Sequence, residues 1–210
     1  IESKCRKVLT YKYVLGLKKK SYVQLSGLEQ RINSPQTRDL VRRLNLAAIT
    51  VLNNKNHILP LHTDKEQTIA LLEVGDPGET DALAKQLSRY TSLARFSLRA
   101  NQTKEENQRL RDSLSTYKRI IVAVSEQRLA PYQPFFAKFV PESPAIYLFF
   151  TPGKRMLQIQ RAVAHASAVV LGHSYSSDVQ RQVADVLFAK ASADGQLSAS
   201  LGELFPTGAG

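Results

Sequence analysis

A chain of 210 residues of which 43% are hydrophobic can bury one substantial core, which predicts a single domain with an appendage. The formal net charge of +11 raises nucleic acid and anionic membranes as partners, so the distribution of that charge has to be considered. No apolar run approaches the roughly 18 residues of a membrane span, and the single cysteine excludes an internal disulfide and the paired cysteines of a zinc site.

Residues 1–67 predict a helical arm or interdomain linker. Helices are expected from Ser3 to Leu17 and from Thr37 to Ala48, with a polar connection between them. Ile49–Leu52 fits either a short strand or the end of the second helix, and His57–Leu61 is expected to be extended because it contains a proline. The first residues lack the basic and apolar regions of a signal peptide, so a soluble chain, mature or trimmed, is expected.

The arm is where the basic charge lies. Residues 1–50 hold 11 Lys or Arg against 3 Asp or Glu, including Lys4–Lys12, Lys18–Lys20 and Arg42. No aromatic stacking platform or recognition helix accompanies these charges, so nucleic-acid binding is not expected. A solvated face, or a surface that meets an acidic partner domain, explains them better. Cys5 lies among these cations but has no His or Asp partner, and an incidental helix cysteine is expected.

From residue 68 onward, short β-rich apolar runs alternate with helical patterns, which is typical of βαβ units. The runs are continuous rather than alternating, as expected for strands that helices cover on both faces. The fold class is therefore α/β: a three-layer sandwich over residues 68–210 with a mostly parallel sheet of about five or six strands. The predicted strands are Thr68–Val74, Leu93–Leu98, Arg119–Val124, Ala145–Phe150 and Ala168–Leu171.

Helical patterns fill the intervals between these strands. Thr103 and Glu106 have the spacing of a capping box, which begins a helix that ends near Thr116. The proline-rich stretch Pro131–Pro144 leaves room for only a short helix near Phe135–Phe139. The remaining helices are predicted at Glu79–Tyr90, Arg155–His165 and Ser177–Lys190.

Several phrases of sequence, in order along the chain, resemble the C-terminal domain of family 3 glycoside hydrolases. Ala47–Asn54 followed by Ile58–Leu61 is similar to the family's opening phrase "aitLLkN" and "LPL", and Val8–Leu17 resembles its interdomain helix. Near the other end, the phrases similar to "aaqaLfG", "GrLPvsi" and "f..GtG" are Ala184–Ala189, Asp194–Ser200 and Phe205–Gly210.

This resemblance implies a domain that packs on a catalytic barrel domain of the same parent chain. The barrel of this family carries the aspartate nucleophile, and retaining hydrolysis needs two carboxyl groups about 5 Å apart, so the chain alone is not expected to hydrolyse sugars. Two loops depart from the family: Ser198 replaces the usual proline, and Thr151–Lys154 replaces "GsPy". The resemblance implies a parent that acts on terminal β-linked sugars, and such relatives are often exported.

The resemblance also supplies one catalytic candidate. In the β-glucosidase branch an acid/base glutamate follows an inner strand, and Glu126 occupies the corresponding position after Ile120–Val124. The glycine-flanked aspartate-arginine phrase of that branch is missing, so a solvated loop glutamate near Arg128 is the competing interpretation. The β-N-acetylhexosaminidase branch, in which the barrel supplies the acid/base, is therefore preferred, and no catalytic residue is required in this chain.

Other polar residues predict no cofactor or metal site. Gly75–Gly78 is expected to be a tight turn rather than a phosphate cradle, since Asp76, Glu79 and Asp81 would repel phosphate. His165 and His173 are isolated from further metal-ligand types. The remaining residues with functional alternatives are Ser125 and Ser174, which lack a nucleophile elbow, and Tyr132, Phe135, Phe136 and Phe139, which are expected in the core.

Two other functions remain open from the sequence. The same alternation of strands and helices builds small-ligand or nucleotide-binding modules of Rossmann or flavodoxin type. The basic first 50 residues could instead bind an anionic polymer, in which case the affinity would fall steeply with salt.

Overall fold

The computed structural model describes residues 1–17, 25–139 and 144–210. Lys18–Lys20 and residues 140–143 of the proline-rich stretch lie outside the described residues. The chain forms two compact units, Ile1–Leu40 and Val41–Gly210.

The first unit is helical. It contains α1 (Glu2–Val14), α2 (Leu28–Ile32) and the beginning of α3 (Pro35–Ala48). Two helices were predicted here and both are confirmed, whereas α2 was not foreseen and falls within the predicted polar connection. Gly27 precedes α2 with φ of 69°, a conformation that glycine adopts readily.

The second unit is built on one six-stranded sheet. Its strands are β1 (Thr50–Asn54), β2 (Asp64–Val74), β3 (Thr91–Leu98), β4 (Ile120–Val124), β5 (Ala145–Phe149) and β6 (Ala168–Leu171). The order across the sheet is β1-β6-β5-β4-β2-β3, in which β1 runs antiparallel to β6 and the other neighbours are parallel. The mostly parallel sheet is thus confirmed, and the uncertain segment Ile49–Leu52 contributes to an edge strand.

Helices cover both faces of this sheet, which confirms the three-layer sandwich. Alternate residues of each strand enter two separate cores; in β4, for example, Val122 packs on one side and Ile121 on the other. The first core is closed by α5 (Lys104–Ser115), α6 (Gln133–Phe136), α7 (Gln160–Ala164) and the segment 197–205. The second core is closed by α4 (Asp81–Leu87) and α8 (Ser177–Leu187).

One predicted helix start is confirmed, and one predicted helix is shorter than expected. Thr103 Oγ1 accepts a hydrogen bond from the Glu106 N–H at 3.2 Å, and Glu106 Oε2 accepts one from the Thr103 N–H at 2.7 Å, so the capping box is confirmed. Residues Gly153–Ile159 form a 3-10 helix before α7, where a longer α-helix was predicted.

The sheet-bearing unit begins at Val41, whereas the sequence placed the start of the α/β domain at residue 68. The intervening segment is held in the fold by its own contacts. Leu59 and Leu61 are buried in the second core, and the Leu61 N–H donates to the Leu187 carbonyl at 2.7 Å. The Asn54 side chain bonds both the N–H and the carbonyl of Leu59 at 2.9 Å, which fixes the turn between β1 and this segment.

The buried hydroxyl of Tyr147 in β5 can be used to test the energetics of the core. Tyr147 is 1% exposed, and its hydroxyl has no hydrogen-bond partner within the described residues. Because an unpaired buried hydroxyl opposes folding, we expect Tyr147→Phe to raise the free energy of unfolding by about 1 kcal/mol.

The matched control is Tyr90→Phe. The Tyr90 hydroxyl donates to Asp185 Oδ1 at 2.8 Å, so its removal should lower the free energy of unfolding by about 1 kcal/mol. Urea denaturation of both variants measures the difference, and an equal loss in the two would contradict the expected role of the Tyr147 hydroxyl.

Candidate functional site

The loops after β2 and β4 meet where the chain changes direction across the sheet. From β2 the chain goes first to β3 on one side and then to β4 on the other. Open α/β sheets bind ligands at such switch points, outside the carboxyl ends of the strands. The two loops are joined by the Val74 carbonyl, which accepts hydrogen bonds from the N–H groups of Ser125 at 3.0 Å and Glu126 at 3.2 Å.

Position 75 requires a glycine because the two loops are in close contact there. Its φ is 146°, and a Cβ at this position would lie 2.1 Å from Ser125 Oγ. The glycine therefore makes room for another part of the same protein and not for a phosphate. Hydrogen bonds from Glu79 N–H to the Asp76 carbonyl at 3.3 Å and from Asp81 N–H to the Gly78 carbonyl at 3.2 Å confirm the predicted tight turn.

Glu126, the catalytic candidate, lies half-buried at the start of the second loop. Its Oε1 accepts a hydrogen bond from the Arg128 N–H at 2.9 Å, and its Oε2 lies 3.5 Å from the Tyr132 hydroxyl. The contact with Arg128 is made by the backbone of that residue. One carboxyl oxygen thus serves the local turn and the other lies near the Tyr132 phenol, and a catalytic role for Glu126 stays a prediction.

Tyr132 is the partner of Glu126 that the sequence did not reveal. It is 5% exposed, in the 3-10 helix Ala130–Tyr132, and packs in the first core as predicted. Burial, with the negative charges of Glu126 and Asp76, raises the pKa of Tyr132 to about 12. The phenol is therefore protonated at neutral pH and can act as a donor to the carboxylate. The three phenylalanines predicted in the core, Phe135, Phe136 and Phe139, are also buried there.

Acidic residues next to the switch are partly neutralised by one arginine. Arg95 of β3 contacts Glu73 through Nε and Nη2 at 3.0 and 2.8 Å, and Nη2 also reaches Asp81 Oδ1 at 2.5 Å. These hydrogen bonds, first to Glu73 and then to Asp81, raise the pKa of Arg95 further above its usual value. Thr80 donates to the same Glu73 carboxylate. The network fixes the start of α4 against β3.

The isolated polar residues are spread over the fold. His165 follows α7 and its Nδ1 lies 2.8 Å from the Arg161 carbonyl oxygen, whereas His173 follows β6. Ser125 Oγ donates to the Val74 carbonyl at 3.3 Å, and Cys5 is an exposed residue of α1. Over 1–17, 25–139 and 144–210, no group of three or more His, Cys, Asp or Glu is arranged to hold a metal ion. None of the helices described there has the length and apolarity needed to cross a membrane.

Known structures share this arrangement of strands and helices. The chain superimposes on a family 3 β-N-acetylglucosaminidase from Paenibacillus sp. str. FPU-7 with a TM-score of 0.60 and 19% identity, over 94% of this chain and 38% of that one. A β-glucosidase from Listeria innocua gives a TM-score of 0.61 at 16% identity, over 87% and 29% of the two chains. The chain shares its fold with family 3 glycoside hydrolases.

A fungal multi-domain β-N-acetylglucosaminidase of the same family gives a TM-score of 0.63 at 11% identity, over 82% of this chain and 20% of that one. The chain thus spans between a fifth and two fifths of these relatives. By sequence, it is 33% identical over 72 residues to a Formosa agariphila protein with the provisional name β-xylosidase, which is 34% of this chain and 10% of that protein. No family model matches the sequence.

The close approach at the switch can be tested by mutation. We expect Gly75→Ala to lower the free energy of unfolding by about 3 kcal/mol, because the unusual φ and the overlap with Ser125 Oγ both oppose folding. Gly208→Ala is the control: Gly208 has φ of 83° but open space around the added Cβ. Its expected loss is about 1 kcal/mol.

Adding Ser125→Ala to Gly75→Ala should recover part of the lost stability, which thermal or urea denaturation can measure. Equal losses for the two glycine variants, with no recovery in the double variant, would contradict the contact.

Proposed function

We propose that this chain is the C-terminal α/β domain of a family 3 glycoside hydrolase and acts as a non-catalytic partner of a barrel domain in the same parent chain. The parent removes terminal β-linked sugars and belongs to the β-N-acetylhexosaminidase branch. The shared fold and the 20–38% of the solved relatives that the chain spans support a domain of a larger enzyme.

The observation that carries this proposal is the exposure of α1. The helix has 13 residues, none of them buried. An isolated helix of this length is marginal in water, and its exposed apolar side chains would stabilise the helix if another protein covered them. The large apolar side chains of the helix, each between 54% and 76% exposed, are Val8, Leu9, Tyr11, Tyr13 and Val14.

Charge indicates what kind of surface α1 meets. The helix carries four basic side chains and one acidic one, Glu2. The Arg6–Glu2 pair at 3.5 Å is 80% and 89% exposed, so it contributes little to stability. An acidic face on the barrel would neutralise the remaining cations, and an apolar groove within it would cover Val8 and Tyr11.

The requirements of the reaction and the contacts of Glu126 support the non-catalytic role. Retaining hydrolysis needs a nucleophile and an acid/base about 5 Å apart. Glu126 Oε1 accepts a hydrogen bond from the Arg128 N–H, Oε2 lies 3.5 Å from the Tyr132 hydroxyl, and the nucleophile is expected on the barrel. The choice of branch rests on the missing aspartate-arginine phrase around Glu126, since the solved relatives include both β-N-acetylglucosaminidases and β-glucosidases.

Hydrolysis assays test the catalytic part of the proposal. We expect the chain alone to release no nitrophenol from aryl β-N-acetylglucosaminide or aryl β-glucoside above the blank, because the second carboxyl group is missing. The Glu126→Gln variant should give the same null result. Turnover by the chain that disappears in Glu126→Gln would overturn the proposal.

A binding measurement tests whether α1 docks on the barrel domain. With the parent's barrel domain expressed separately, Val8→Asp and Tyr11→Asp should each weaken binding by about tenfold or more, because each introduces a charge where an apolar side chain is covered. Thr10→Asp adds the same charge on the same helix at an exposed polar residue and should change the affinity by less than about threefold. Surface plasmon resonance measures the difference. Equal effects of all three would show that α1 does not dock through its apolar residues.

A further inference from the structure

Strand β3 is a long and regular strand at one edge of the sheet. It lies at the end of the strand order, next to β2, and has eight residues, whereas β4 and β5 have five each. Residues 92–98 pair with residues 68–74 of β2 without a register shift. The ladder along β3 is therefore continuous from Ser92 to the end of the strand.

The outer backbone groups of β3 are not used by the fold. An edge strand turns a row of N–H and C=O groups away from its neighbour. Within the residues that the structure describes, the backbone of residues 93–98 bonds no segment other than β2. Six of the eight residues of β3 are at least partly exposed. The free backbone groups can thus pair with an additional strand.

The usual devices that protect an edge strand are weak here. Proteins protect such edges with proline, bulges, charged side chains or a covering element. β3 contains no proline, and its ladder has no bulge from Ser92 onward. Its one charged residue is Arg95, whose guanidinium contacts the carboxylates of Glu73 and Asp81. Arg95 is therefore not an isolated cation that would repel the same edge of another molecule.

The side chains beside this edge are complementary to those of an identical edge. Phe96 is partly buried on the first core and Leu93 on the second. A two-fold axis normal to the sheet would pair two β3 strands antiparallel and keep each face of the sheet on its own side. An axis at Ala94 pairs residues 91–97 and places Arg95 opposite Leu93. The two guanidinium groups then do not face each other, and apolar side chains are covered on both faces.

We propose that two copies of this chain pair through β3 and join their sheets into one. A second copy fits better than a charged peptide, because it presents an open strand of the same length with the same balanced charge and the same apolar flanks. The two-fold axis closes the contact, so a dimer is formed and not a longer assembly. Neither α1 nor a barrel domain takes part, so this inference can fail while the proposed function stands, and the reverse.

Sedimentation velocity over a range of protein concentrations tests the pairing. We expect a reversible equilibrium between monomer and dimer below about 0.5 mM protein. Ala94→Lys should weaken the dimer about fivefold or more, because two ammonium groups would face each other across the axis. Ala137→Lys is the matched control, since it adds the same side chain at an exposed alanine beside residues 157–162. Its expected effect is less than about twofold.

Hydrogen exchange locates the contact, and a second variant guards against misfolding. The outward amides of residues 93–97 should exchange several-fold more slowly in the dimer, whereas those of β1 at the other edge should not change. Urea denaturation shows whether Ala94→Lys folds. If it does not, Ser97→Lys decides: it adds an unbalanced cation at an exposed serine of the same edge and should also weaken the dimer several-fold. Ser198→Lys, at an exposed serine beyond β5 and β6, is its control.

Four outcomes contradict the proposal. A chain that stays monomeric up to about 0.5 mM would show that the edge does not pair. Equal effects of the edge variant and its control would show a general charge effect. A dimer that is lost in Val8→Asp but kept in Ala94→Lys would show that α1 joins the copies. A neutral extended peptide of unrelated sequence that dissociates the dimer at equal concentration would show that the edge has no preference for a second copy.

Discussion

The burial of the sheet on both of its faces is the constraint on which the rest of the structure depends. Because each strand sends alternate residues into two different cores, nearly every strand residue in the middle of the sheet is apolar and fully buried, as in β4 and β5. In β4 and β5 the Tyr147 hydroxyl is the only polar side-chain group, so the polar side chains near these two strands lie in the loops beyond their ends. Open α/β sheets bind ligands at the carboxyl edge, where such loops gather.

The two regions along that edge differ in what their polar groups already do. At the switch between β2 and β4, Gly75, Ser125, Glu126 and Tyr132 contact one another, and Arg95 neutralises the neighbouring acids. In that region the polar groups hold the two loops together. At the ends of β5 and β6, the side chains of Lys154, Ser198 and Ser200 make no hydrogen bond within the described residues and are exposed to solvent.

The helical unit Ile1–Leu40 differs from the sheet in how much apolar surface it exposes. Its helix α1 buries nothing and exposes valine, leucine and tyrosine side chains together with several cations. Apolar groups in water gain free energy when another surface covers them, and cations gain when that surface is acidic. The sandwich has two closed cores of its own, whereas no residue of α1 is buried. The division of the chain into Ile1–Leu40 and Val41–Gly210 agrees with this difference.

The sequence by itself determined the features that depend on neighbouring residues. Continuous apolar runs predicted the five parallel strands, and the Thr103 and Glu106 pair predicted the start of α5, since both signals act over a few residues. The tertiary structure decided what depends on distant partners. Thr50–Asn54 forms a strand because it pairs with β6, and Leu61 is buried because α8 lies beside it. Position 75 requires a glycine because Ser125 occupies the space that a side chain would need.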